Sequence, residues 1–187
     1  MKRVYLIHGW GGNDSSEEWF GWLKQELRKR KIEVISFNMP NTNLPKIEEW
    51  TGYLKNNVKK IDEETYFIGH SIGCQTTLRF LEKLPEKTKV GGCIFVAGWF
   101  NLIEKGYESE GDKKIALPWI KTPINFEKIK KHTNNFLAIF SDDDPFVPIS
   151  DSKLFKEKLN AKVIIKKRQE HFCNVKEIPE IIPFLIK

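Results

Sequence analysis

Residues Thr65-Tyr66-Phe67-Ile68-Gly69-His70-Ser71-Ile72-Gly73 join a strand-like run to the start of a helix through a sharp turn. The first four are β-branched or aromatic, and a helical spacing of apolar residues continues over Ile72–Leu84. Glycines stand on both sides of the turn, where a Cβ atom would collide with neighbouring backbone. The stretch therefore predicts a strand that leads directly into a helix at Ser71.

The same alternation extends along the chain. Short apolar runs predict strands over Arg3–His8, Glu33–Asn38, Thr65–Gly69, Gly92–Ala97, Phe136–Ser141 and Lys162–Lys166. Apolar residues at helical spacing predict helices over Ser16–Arg30 (capped by Ser15 or Ser16), Lys46–Ile61, Ile72–Leu84, Asp151–Leu159 and Ile178–Ile186. Alternating strands and helices are typical of a parallel sheet with helices on both faces. We therefore expect an α/β fold, a three-layer α/β/α sandwich, with residues 1–187 forming a single domain.

The connection between the fourth and fifth predicted strands, Gly98 to Thr133, is much longer than the others. Long connections inside compact domains are often binding loops. Its aromatic residues Trp99, Phe100 and Trp119 either wall a substrate pocket or pack in the core, and the sequence alone leaves both roles open.

Composition and charge narrow the class of protein. The net charge is +6, from 31 basic and 25 acidic side chains. These charges are scattered and accompany no nucleic-acid-binding motif, so we favour a solvated surface over nucleic-acid binding. No apolar run approaches the length of a membrane span, and Met1-Lys2-Arg3 leads straight into a strand-like run rather than a secretory leader. We expect a soluble, cytoplasmic protein.

Three cysteines, Cys74, Cys93 and Cys173, show no metal-type spacing. Cys93 lies in an apolar run, where a buried packing role is the simplest interpretation. Cys74 follows Ser71 closely and is expected to pack under a helix. We therefore predict no disulfide, no metal site and no cofactor.

Ser71 is the candidate nucleophile, because Gly69 to Gly73 matches the G-x-S-x-G elbow of hydrolases in its strand-turn-helix context. In such a turn the serine hydroxyl projects outward from a strained backbone. The helix N-terminus that follows favours negative charge forming beside the hydroxyl.

A serine hydroxyl needs a base, and the base needs a group that orients it. Acid candidates are the adjacent Asp142, Asp143 and Asp144, directly after the fifth strand. His171 follows the last strand, which completes the order serine, acid, histidine. The other histidines end the first strand, sit inside the elbow, or lie in a polar stretch: His8, His70 and His132.

The glycine-rich turn after the first strand contains Trp10. In an α/β-hydrolase, this loop supplies one backbone N–H of the oxyanion hole, and the residue after the nucleophile supplies the other. The predicted donors are therefore the amides of Trp10 and Ile72.

Over nearly its whole length, the chain resembles the compact serine hydrolases related to retinoblastoma-binding protein nine and its bacterial relatives. The resemblance implies an α/β-hydrolase fold without a lid domain, with about six parallel strands in the order 2-1-3-4-5-6. It implies Asp144 as the acid and His171 as the base, and it departs at Glu170, where the family usually has glycine. The matching stretches are Gly9-Trp10-Gly11-Gly12, Trp19–Leu23, Gly69–Gly73, Pro118-Trp119, Phe126–Lys130, Ser141–Pro148 and His171-Phe172.

Pro145 independently favours Asp144 over its two neighbours, because the ring restricts Asp144 to extended conformations and stiffens the loop. Asp142 and Asp143 then have turn-forming or solvent-exposed roles. Glu170 either changes the loop backbone or places a carboxylate near the imidazole, which would raise its pKa.

Together these residues predict a serine hydrolase that cleaves small ester, thioester or amide bonds through a Ser71 acyl-enzyme. One alternative is a catalytically idle protein-interaction module on the same fold, although no residue pattern indicates a protein partner. Another is an acyltransferase using the same three residues. The sequence does not identify the substrate.

Overall fold

The computed structural model describes residues 1–14, 18–107 and 109–186. Within these ranges the strands are β1 (Arg3–Ile7), β2 (Glu33–Ser36), β3 (Thr65–His70), β4 (Gly92–Val96), β5 (Phe136–Ser141) and β6 (Lys162–Lys166). The helices are α1 (Glu18–Lys29), α2 (Ile47–Asn57), α3 (Ile72–Glu82), α4 (Glu110–Lys121), α5 (Phe126–Lys130), α6 (Asp151–Leu159) and α7 (Ile181–Leu185). A short 3-10 turn covers Glu104–Gly106.

The strands form one sheet in the order β2-β1-β3-β4-β5-β6, with every neighbouring pair parallel. The predicted order 2-1-3-4-5-6 is confirmed. The order reverses at β1 and β3, so the loops after these two strands open a crevice at the carboxyl edge of the sheet, where ligands bind in open α/β folds. Ser71 follows β3 directly, at that crevice.

Side chains alternate between the two faces of the sheet, and each face has its own core. Tyr5, Phe67, Cys93 and Phe136 are register partners on adjacent strands, and they belong to one buried cluster with side chains of α2 to α6. Val4, Ile68, Ile94 and Leu137 face the other way, against α1 and α7. Because side chains alternate with period two along a strand, one sheet can bury both faces. The predicted three-layer α/β/α sandwich is confirmed.

Some predicted helices are shorter in the structure. Helix α2 ends at Asn57 rather than Ile61, because Val58 adopts an extended conformation with ψ 104°. Helix α7 begins at Ile181 rather than Ile178, since a turn from Ile178 to Ile181 precedes it. The predicted start of the first helix, with its cap at Ser15 or Ser16, lies outside the described residues. In the described ranges, none of the helices is long and apolar enough to cross a membrane.

The long connection after β4 contains two helices that the sequence analysis did not predict. Helix α4 begins where the Ser109 hydroxyl accepts a hydrogen bond from the Asp112 N–H, and α5 begins where the Asn125 side chain accepts one from the Lys128 N–H. Serine and asparagine are common N-cap residues, and both side chains make the usual N-cap hydrogen bond. Pro118 inside α4 and the short length of α5 weaken the apolar periodicity that would predict these helices. The N-cap residues Ser109 and Asn125 are the sequence signals that could have indicated where they begin.

A polar network around Asp62 connects the amino ends of β1 and β3. Its carboxylate accepts hydrogen bonds from Arg3 on β1 at 2.6 Å and from Thr65 on β3 at 3.2 Å, and lies 3.2 Å from the Lys60 ammonium. Partial burial by itself raises the pKa of this carboxyl. The hydrogen bonds from Arg3 and Lys60, with the Glu64 and Thr65 contacts, outweigh it and lower the pKa to about 2.

We therefore expect Asp62 to stabilise the fold above pH ~4, its ordinary pKa, and to lose this contribution as the pH falls towards 2. Asp62→Asn should lower the free energy of unfolding at pH 7 and leave a smaller difference from the unsubstituted protein near pH 2. Urea denaturation across this range measures both. Glu63→Gln, at an exposed neighbour, is the control. A difference that does not shrink on acidification would contradict the assignment.

Candidate active site

Ser71 occupies the turn between β3 and α3 with φ 51° and ψ −120°, a conformation that L residues rarely adopt. Its N–H donates to the Val96 carbonyl at 2.9 Å and its carbonyl accepts from the Cys74 N–H at 2.9 Å. A Cβ on Gly69 would lie 2.6 Å from the Cys74 nitrogen, and one on Gly73 would lie 2.8 Å from the His8 carbonyl oxygen. The two glycines of the motif are therefore required by backbone that approaches from both sides.

The buried thiols of Cys74 and Cys93 are poor candidates for a nucleophile. Burial is the main cause that raises the pKa of both the Cys74 and the Cys93 thiol. Since the thiolate is the nucleophilic form, both side chains are inert packing groups. Cys173 is different, because it is exposed and lines the same cavity as Ser71.

The structure brings Asp144 and His171 together. The Asp144 Oδ2 lies 2.8 Å from His171 Nδ1, while its Oδ1 accepts hydrogen bonds from the N–H groups of Phe146 and Val147, each at 2.9 Å. The Asp144 side chain is 3 % exposed. These contacts orient the carboxylate towards the imidazole from the loop that Pro145 stiffens.

The other two aspartates hold the backbone of the loop that carries His171. The Asp142 Oδ1 accepts from the Arg168 N–H at 2.9 Å, and the Asp143 Oδ1 accepts from the Glu170 N–H at 2.9 Å. Hydrogen bonds from the Ser141 hydroxyl and then the Glu170 N–H lower the pKa of Asp143. Both carboxylates therefore stabilise the backbone of the segment just before His171.

The backbone of this loop is strained. Arg168, Glu170 and Phe172 all have positive φ, at 54°, 47° and 61°. The left-handed region favours glycine, which gives a physical reason for the glycine that the family resemblance leads one to expect at position 170. Glu170 keeps the same kind of conformation at some cost in strain. The first of the two effects expected of Glu170, on the loop backbone, therefore has a structural basis.

His8 shapes the glycine-rich loop after β1, a role that the sequence analysis missed. Its Nε2 accepts a hydrogen bond from the Met39 N–H at 3.0 Å, so its proton is on Nδ1, which donates to the Gly9 carbonyl at 2.7 Å. The neighbouring Gly11 N–H donates to the Thr42 carbonyl at 2.9 Å. Two contacts with the segment after β2 thus support the loop whose Trp10 amide is a predicted oxyanion donor.

Ser71 and His171 open on a cavity of about 520 Å³. Trp10 and Trp99 of the predicted site residues also line it, whereas Ile72 is fully buried at the first position of α3. Other residues of the wall come from the end of β3, from helix α4 and from the loops after β1, β2, β4, β5 and β6: Gly9, Gly11, Gly12, Asn43, His70, Leu102, Gly106, Tyr107, Asp112, Phe146 and Cys173.

Two of the three aromatic residues predicted for the pocket, Trp119 and Phe100, are not among the residues that line this cavity: Trp119 lies in the core, and Phe100 is half-buried and packs against it. Trp119 is 1 % exposed, donates from Nε1 to the Pro45 carbonyl at 3.0 Å and packs against Trp50. Phe100 stacks on Phe155 with ring centroids 4.6 Å apart. For these residues the core-packing alternative describes the contacts, and Trp99 alone of the three faces the cavity.

Leu102, Tyr107 and Phe146 are cavity residues that the sequence analysis did not single out. Leu102 and Tyr107 belong to the long connection after β4, for which the sequence left a binding role open. Phe146 follows Asp144-Pro145, and its ring packs edge-on to the His171 imidazole at 5.0 Å between centroids. The sequence signal for Phe146 was its position two residues after Asp144, and the signal for Leu102 and Tyr107 was their place in the long connection. Among the described residues, no cluster of three or more histidine, cysteine or acidic side chains could hold a metal ion.

Comparisons with known sequences give a consistent picture. Residues 4–178 match the family model described as Serine hydrolase. The chain is 32% identical over 171 residues to YdeN of Bacillus subtilis (strain 168), which covers 91% of this chain and 86% of the relative. It is 27% identical over 182 residues to "Serine hydrolase RBBP9" of Rattus norvegicus, which covers 96% of this chain and 91% of the relative.

Comparisons with solved structures extend this to the fold. The crystal structure of the B. subtilis ydeN gene product superposes with a TM-score of 0.88 at 28% identity, covering all of both chains. The Pyrococcus furiosus esterase Pf2001 superposes with a TM-score of 0.65 at 16% identity, covering 98% of this chain and 80% of the other. This second likeness concerns the fold, which is that of the α/β-hydrolases.

Proposed function

This chain belongs to the serine hydrolase family, and from that premise we propose that it cleaves small ester, thioester or amide bonds through a Ser71 acyl-enzyme. The observation that carries the proposal is the joint position of three groups. Ser71 stands on a strained turn at a cavity, His171 lines the same cavity, and Asp144 lies 2.8 Å from Nδ1 of the His171 imidazole.

In the proposed reaction, the Ser71 Oγ attacks the substrate carbonyl carbon as His171 Nε2 takes the hydroxyl proton. Asp144 accepts from the Nδ1–H, which leaves Nε2 unprotonated in the neutral imidazole and stabilises the imidazolium that forms. The carbonyl oxygen becomes an oxyanion, for which the amides of Trp10 and Ile72 are the proposed donors.

Collapse of this intermediate breaks the bond to the leaving alcohol, thiol or amine, which receives the proton from His171. Water then attacks the carbonyl carbon of the Ser71 acyl group and gives a proton to His171, which forms a second tetrahedral intermediate. Its collapse breaks the bond to the Ser71 oxygen, releases the acid and returns the proton to that oxygen. The step sequence consumes one water and uses no cofactor.

The cavity supports a small substrate. Its volume of about 520 Å³ lies within the range of small-molecule sites, roughly 300–1,000 Å³. Trp99, Leu102 and Tyr107 supply apolar surface, and Asn43 and Asp112 supply polar groups. We propose that the acyl or leaving group packs against the apolar wall.

Titration with a fluorophosphonate probe tests the proposal, because an activated serine reacts and an ordinary surface serine does not. We expect one probe per chain, together with hydrolysis within a panel of short acyl esters, thioesters and aminoacyl amides. A heat-denatured sample should not label. Absence of both labelling and hydrolysis would favour the idle interaction module, and faster release of the acyl group with added alcohol or amine would favour acyl transfer.

A further inference from the structure

We propose that His70, the residue before the nucleophile, is a positioning residue that holds the backbone of His171. The His70 Nε2 lies 2.7 Å from the His171 carbonyl oxygen. A carbonyl oxygen has no proton to give, so the Nε2–H of His70 is the donor. This inference rests on the proposed function, since it assigns His70 a role in the geometry of the proposed base.

The donor is mounted on a rigid part of the molecule. His70 is the last residue of β3, a central strand, and pairs in register with Val96 of β4. It is 2 % exposed, and its ring packs edge-on to Trp19, with centroids 6.3 Å apart, and against His171 at 5.1 Å. A buried side chain on a central strand has little freedom to move, so the position of its N–H is well defined.

The acceptor lies in a loop that needs such support. His171 stands between Glu170 and Phe172, both of which have positive φ. The Glu170 N–H is held by Asp143 on one side of His171, and the His171 carbonyl is held by His70 on the other. With Asp144 on Nδ1, these contacts fix both the backbone and the ring.

Loss of the His70 donor would therefore leave a half-buried carbonyl without this partner in a strained loop. The loop could relax, and the imidazole would move relative to Ser71. A misplacement of about 1 Å can cost roughly a hundredfold in rate even when the changed residue does not touch the reacting atoms. His70 is one of many residues that line the cavity, and its hydrogen bond acts on the position of the proposed base, so the effect should fall more on kcat than on KM.

Three substitutions separate the hydrogen bond from packing. Gln in place of His70 carries an amide N–H at about the distance of Nε2, Asn carries the same group one bond shorter, and Phe fills the space without a donor. For p-nitrophenyl acetate, we expect His70→Asn and His70→Phe to lower kcat by about tenfold or more, with KM within about threefold. His70→Gln should stay within about threefold of the unsubstituted protein.

Amide hydrogen exchange supplies a readout that does not depend on activity. We expect faster exchange over residues 167–173 in the Asn and Phe variants and unchanged exchange in the Gln variant. An inactive unsubstituted protein would refute the proposed function, and exchange would still test the role of His70. If His70→Phe does not fold, as judged by circular dichroism, the Gln and Asn pair decides the question. Equal effects of Gln and Asn, or unchanged exchange in His70→Asn, would overturn the proposal.

Discussion

Ser71→Ala should abolish fluorophosphonate labelling and lower kcat for ester hydrolysis by at least about ten-thousandfold, as expected when a serine nucleophile is removed. The substitution deletes the hydroxyl and keeps the Cβ, so the turn at φ 51° can form as before. The hydrogen bonds that hold the turn come from backbone atoms, the Ser71 N–H and carbonyl, and do not involve the deleted oxygen.

The measurement is labelling and steady-state hydrolysis, with thermal unfolding to show that the variant is folded. Cys173→Ser is the matched control, because among the residues that line the cavity Cys173 carries the thiol that could also act as a nucleophile. It should keep labelling and hydrolysis close to those of the unsubstituted protein. Labelling that persists in Ser71→Ala and disappears in Cys173→Ser would move the proposed nucleophile to the thiol.

Asp144→Asn should lower kcat by at least about a hundredfold, against the roughly ten-thousandfold loss seen for the equivalent change in a chymotrypsin-type triad. The reason is the direction of one hydrogen bond. The Asp144 Oδ1 accepts from the Phe146 and Val147 N–H groups, and an asparagine oxygen would take the same place. The NH2 group then faces His171 Nδ1 and donates to it, so the ring proton moves to Nε2, which can no longer accept from Ser71.

Asn at 142 or 143 should change kcat by no more than severalfold, and these variants are the matched controls. Both carboxylates accept backbone N–H groups, from Arg168 and from Glu170. An asparagine oxygen can accept the same hydrogen bonds, so the loop that carries His171 should keep its shape. Steady-state kinetics of the three variants checks this. A crippled Asp143→Asn beside an active Asp144→Asn would shift the proposed acid by one residue.

The sheet and the sharp turn at Ser71 could be predicted from the sequence because their signals are local. Apolar runs mark strands, and a glycine on each side of Ser71 marks a turn whose backbone is crowded, as the contacts of Gly69 and Gly73 with their neighbours show. The Pro145 that follows Asp144 likewise acts on the adjacent residue. The helices α4 and α5 were missed because their local signal is weak. The apolar pattern of α4 is interrupted by Pro118, and α5 is only five residues long.

What only the tertiary structure decided are contacts between residues far apart in the chain. Trp99 faces the cavity while Trp119 packs against Trp50 in the core, although all are tryptophans and two belong to the same connection. The hydrogen bond of His70 with His171 joins residues 101 positions apart. Hydrophobicity and turn preference depend on residue type and near neighbours, whereas the side of a helix or loop that meets a cavity depends on how the layers pack.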